Sequence, residues 1–61
     1  MNYIAFVHFY DEATPFEFKL THIEFMTSKR LLESGKYDFV SFGGQFVPKR
    51  EIQTVKFMEV K

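Results

Sequence analysis

Eight consecutive residues, Gly35-Lys36-Tyr37-Asp38-Phe39-Val40-Ser41-Phe42, hold the strongest chemical pattern in the chain. In extended backbone Tyr37 and Phe39 point to one side, and Val40 and Phe42 to the other. Aromatic rings two residues apart on an open face are stacking platforms for unpaired bases, worth about 1–3 kcal/mol per base. Phosphates would need cations nearby. Lys36 precedes the rings and Lys49-Arg50 follow them, with Lys29-Arg30 as a third basic group. Lys36, Tyr37, Phe39, Lys49 and Arg50 are therefore the candidate nucleic-acid contacts, gathered as a local basic lip.

The same stretch resembles the RNP1 motif of RNA-recognition modules, which runs basic residue, Gly, aromatic, small residue, Phe, Val, any residue, aromatic. Tyr37, Phe39, Val40 and Phe42 fall on matching positions. The resemblance implies single-stranded nucleic acid stacked on Tyr37 and Phe39. It spans eight residues and departs in three ways: Gly35-Lys36 reverses the basic–glycine order, Asp38 replaces the small residue, and the chain has no room for the module's second helix.

Other groups with chemical potential point toward architecture. Gly43-Gly44 lacks the GxxxxGK[ST] spacing of a phosphate-binding loop and reads as a two-residue hairpin turn. His8, close to Asp11 and Glu12, reads as a sheet residue, and His22 as a first-turn helix residue. Ser28, Ser34 and Ser41 have no nucleophile elbow around them. With no cysteine and two histidines, thiolate and histidine-only structural metal sites are excluded. An active-site cavity of about 300 Å³ or more is also rare in so short a chain. No catalytic residue, metal or cofactor is expected, and the chain is read as a non-enzymatic protein.

At 61 residues the chain is one domain, residues 1–61. Such a domain buries only about 60% of the surface its unfolded chain exposes, so something beyond its own core should help hold it. Without disulfides or metal, association is the remaining means. Eight Lys and Arg balance eight Asp and Glu, which removes long-range steering toward polyanions and disfavours mimicry of one. No apolar run reaches the roughly 18 residues of a membrane span, and no basic start with a cleavage site marks a secretory signal. A cytoplasmic protein with no membrane partner is the expectation. Nine Phe and three Tyr, however, are many rings for a small interior.

The elements follow from patterning. Residues 2–10 are aromatic and β-branched on both faces, as in a covered strand. Residues 16–20 alternate apolar and charged, as in a half-buried strand. Thr21 and Glu24 have capping-box spacing, with Leu20 and Phe25 at the hydrophobic-staple positions. A helix from about His22 to Ser34 follows, with Gly35 as a left-handed C′ residue; Ile23 and Leu31 fall off its apolar stripe, so it is either contacted on two sides or starts later, near Thr27. Residues 37–42, 45–47 and 52–60 read as strands, with Pro48 ending the second.

The order ββαβββ predicts a small α+β domain, a mainly antiparallel curved sheet with one helix on one face. One helix covers one face, so Tyr3, Phe9, Tyr37, Phe39 and Phe57 are the candidate interaction surface on the other. The first expectation is a homodimeric regulator or inhibitor that binds a larger protein through exposed apolar sheet surface or an edge strand. The alternative is a single-stranded nucleic-acid module.

Overall fold

The computed structural model describes residues 2–61 and has the expected α+β class and ββαβββ order. Strand β1 (Asn2–Phe9) lies between β2 (Phe16–Thr21) and β5 (Ile52–Val60), antiparallel to both. Helix α1 spans His22–Glu33, and β3 (Phe39–Phe42) and β4 (Gln45–Pro48) form a separate antiparallel hairpin. The five strands thus make two sheets where a single curved sheet was expected. A 3₁₀ turn, Lys49–Glu51, joins β4 to β5.

The helix and hairpin pack on the same face of the three-stranded sheet. The domain measures 30 × 28 × 16 Å, and the short dimension fits two layers about 10 Å apart. On β1 the covered face is Tyr3, Ala5, Val7 and Phe9, with Ala5 and Val7 fully buried. Phe25 of α1 lies flat on Tyr3, with ring centroids 4.0 Å apart at 6°, and meets Phe57 edge-on at 5.0 Å. Phe18 stacks on Phe42 at 5.1 Å and thereby ties sheet to hairpin. Val40, Phe42 and Val47 complete the core with Leu20.

The helix starts at the predicted box. Thr21 Oγ1 accepts from the Glu24 N–H at 3.2 Å, and Glu24 Oε1 accepts from the Thr21 N–H at 2.8 Å. Thr21→Ala removes half of this reciprocal pair and should cost about 1 kcal/mol, read as a lower urea midpoint at unchanged slope.

The other end departs from expectation. Ser34, in extended conformation, is the C-cap, and Gly35 does not take positive φ. Orphan carbonyls at a helix terminus need donors, and here Lys49 Nζ, fifteen residues on, donates to Ser34 O. A cation at this end also suits the helix dipole.

Gly43 and Gly44 do turn the hairpin, with φ of 60° and 91°, as a type I′ turn demands. That turn fixes the register: Phe42 opposes Gln45, and Ser41 opposes Phe46. Closing a two-residue turn makes Phe42–Gln45 the hydrogen-bonded pair, so at the next pair the Ser41 carbonyl faces away from β4. It meets α1 there, accepting from the hydroxyl of Ser28, which is the one fully buried residue of the helix.

Candidate interaction surface

The hairpin register decides which rings face solvent. Val40, Phe42 and Val47 point inward; Phe39 and Phe46 point outward, 52% and 74% exposed. Tyr37 lies just before β3, outside the strand predicted for it, and is 55% exposed. These three rings and Leu31 of α1 line one groove of about 540 Å³, whose only charged lining residue is Asp38. Leu31, off the apolar stripe of its helix, is partly buried against the core and also lines this groove.

Asp38 and Phe39 also border a second depression of about 400 Å³, shared with Pro48, Lys49 and Arg50. The backbone draws these segments together, because the Lys49 N–H donates to Asp38 O at 2.8 Å. Of the predicted nucleic-acid contacts, Tyr37 and Phe39 share the groove and Lys49 and Arg50 lie beside it. Lys36 follows the helix end, its N–H donating to Ser34 Oγ. The Lys49 ammonium is held against the helix C-terminus, and Lys29 and Arg30 border a different hollow with Met26 and Glu33. Lys36 and Lys49 thus both meet Ser34 at the helix end, while Lys29 and Arg30 border a separate hollow. Asp38, between the two rings in sequence, adds an anion to the lining of their groove, which opposes a phosphate chain running past them.

The predicted surface on the helix-free side needs correction. Tyr3, Phe9 and Phe57 lie on the covered face, partly buried against the core, because the register puts them in line with Ala5 and Val7. The face left open carries Ile4, Phe6 and His8 on β1, Glu17 and Lys19 on β2, and Thr54, Lys56, Met58 and Val60 on β5. Ile4 and Phe6 are nonetheless half-buried. Their cross-strand neighbours Lys19, Glu17 and Lys56 have aliphatic stems that can lie along them while the charged ends reach water.

Phe46, Leu31 and the open-face residues were not singled out from sequence. For Phe46 a signal existed: a two-residue Gly-Gly turn sets its partner as Ser41, hence its side as that of Phe39. For Leu31 the signal was its misfit with the stripe containing Phe25 and Leu32.

His8 is exposed on the open face opposite Thr54, and His22 sits near the Tyr3 and Phe25 rings at 5.7 and 6.4 Å. Among the described residues, no three His, Asp or Glu side chains gather as a metal-binding group. No helix among them is long and apolar enough to cross a membrane. No protein-family model matches the chain, and no curated protein or solved structure matches it either.

Proposed function

We propose that this chain is a non-enzymatic interaction protein, a homodimeric regulator or inhibitor whose groove of Leu31, Tyr37, Phe39 and Phe46 takes an apolar side chain of a larger protein partner. The supporting observation is that three aromatic rings stand exposed around a single, nearly uncharged concavity. Apolar surface concentrated in this way marks a docking site more often than scattered exposed rings do, and buried aromatic anchors dominate the energy of protein interfaces. Each ring left in water forgoes roughly 25 cal/mol for every Å² it could bury.

The test is selection from a displayed random-peptide library. Enriched peptides should share a large apolar anchor, and Phe46→Asp should weaken their binding by about 30-fold or more, the loss of one hot-spot residue, with circular dichroism unchanged. Enrichment without a common anchor, or binding indifferent to Phe46→Asp, sinks the reading.

Single-stranded nucleic acid is the second reading, favoured by the exposure of Tyr37 and Phe39 beside Arg50. It requires mixed oligonucleotides to raise fluorescence anisotropy at low salt, and requires Tyr37→Ala and Phe39→Ala to abolish the rise. Strong salt dependence would accompany any such binding.

A further inference from the structure

The open face of the three-stranded sheet has a charge pattern fixed by its own register. Phe6 on β1 is flanked by Glu17 on β2 and Lys56 on β5, and Ile4 is flanked by Lys19 and Met58. Cross-strand partners project to the same side, so these are two neighbouring rows on one surface. None of the six belongs to the core cluster. The Phe6 row is therefore negative toward β2, apolar at its centre and positive toward β5.

We propose that a second copy of this chain packs on this face, with the two-fold axis parallel to β1 and passing between the two Phe6 rings. This deepens the homodimeric part of the reading above and rests on it. An axis parallel to β1 lays β2 of each copy over β5 of the other at the same height along the strands. Glu17 of one copy then opposes Lys56 of the other, twice per dimer, with the Phe6 rings between the two pairs. A two-fold axis running across the strands through the same row would instead lay Glu17 on Glu17 and Lys56 on Lys56. Like charges facing each other at an interface are strongly disfavoured, so the charge pattern selects the first arrangement.

The packing is that of an aligned β-sandwich, with sheets about 10 Å apart and strands within about 30°. It covers Met58 and Val60, which are exposed in the single chain. Lys19 comes opposite Met58, and its ammonium can reach solvent at the sheet margin. Three strands about 4.8 Å apart and some seven residues long give a patch of roughly 15 by 24 Å. That is below the size of a standard stable interface, so the dimer should be weak and come apart on dilution.

The experiment is sedimentation equilibrium on the wild-type chain, on Glu17→Lys, on Lys56→Glu, and on an equimolar mixture of the two variants, with circular dichroism to show that each is folded. The wild type should self-associate. Each variant alone brings like charges together twice and should dissociate more than about tenfold more readily. The mixture should associate again, because one variant presents two cations where the other presents two anions. A wild type that stays monomeric at high micromolar concentration overturns both this arrangement and the homodimer. Variants that associate like the wild type leave a homodimer in place but move it to another surface. A mixture that fails to re-associate rejects the two-fold arrangement itself.

Discussion

Phe42→Ala should take away a large share of the chain's stability. The side chain is 1% exposed and stacks on Phe18, so its removal takes away the main ring contact between the hairpin and the three-stranded sheet. Truncating a buried Phe costs about 3–5 kcal/mol. At about 0.05–0.15 kcal/mol per residue, a domain of this length has roughly 3–9 kcal/mol in total. The loss therefore consumes from about a third to all of it, and at the middle of both ranges leaves about 2 kcal/mol. Phe46→Ala, four residues on but facing solvent, should stay within about 0.5 kcal/mol of wild type. Urea unfolding followed by circular dichroism reads both. Equal losses at the two positions would show that the hairpin's inner and outer faces have been assigned wrongly.

Ser28→Leu should be comparably damaging. The Ser28 hydroxyl lies 2.9 Å from Glu24 O and 2.5 Å from Ser41 O, so its single proton serves both carbonyls where α1 packs on β3. Replacing it leaves the partly buried Ser41 carbonyl without its donor, at about 1–3 kcal/mol. Forcing extra methylenes into a closed seam adds about 1–3 kcal/mol more. Ser28→Ala separates the two effects, since it removes the hydroxyl without adding bulk. It should lower the melting temperature by at least about 4 °C, the shift that 1 kcal/mol produces in a domain of this size. A melting temperature unchanged by Ser28→Ala would mean that the hydroxyl does not hold the hairpin to the helix.

Both sites show which interactions can be read from sequence. The capping box at Thr21–Glu24 and the Gly43-Gly44 turn are local, and each needs only residues within a few positions of one another. They appear where the spacing places them. The helix C-terminus is different, because Gly35 is locally suitable for a left-handed cap, yet neither it nor Ser34 takes positive φ, and a donor comes instead from Lys49, fifteen residues beyond Ser34. Nothing near Gly35 announces that donor.

The division into two sheets has a similar origin. A strand with aromatic residues on both faces fits equally well in the middle of one sheet or in a hairpin lying on another. Stacking of Phe42 on Phe18, a tertiary contact, decides for the hairpin. Strand β1 is apolar on both faces, and cross-strand pairing sets Lys19, Glu17 and Lys56 beside Ile4 and Phe6 on the second one. Alternation within β2 showed that charges lie on one of its faces, but not that they would flank the rings of β1.

The candidate surface was half legible. Tyr37 and Phe39 were identified by their spacing, and both are exposed, whereas Tyr3, Phe9 and Phe57 were assigned to the wrong side because the face of a strand depends on where the helix lands. Phe25 is the residue that settles it, by stacking on Tyr3 and meeting Phe57.

The most direct test of the proposed docking groove is a map of backbone amide shifts in the labelled protein, titrated in parallel with a library-selected peptide and with a mixed single-stranded oligonucleotide. The peptide should move the amides of Leu31, Tyr37, Asp38, Phe39 and Phe46 and leave the open sheet face around Ile4 and Phe6 undisturbed, while the oligonucleotide moves none of them at moderate salt. Shifts produced by the oligonucleotide alone, centred on Tyr37, Phe39 and Arg50, or peptide shifts lying wholly outside the groove, would contradict the account.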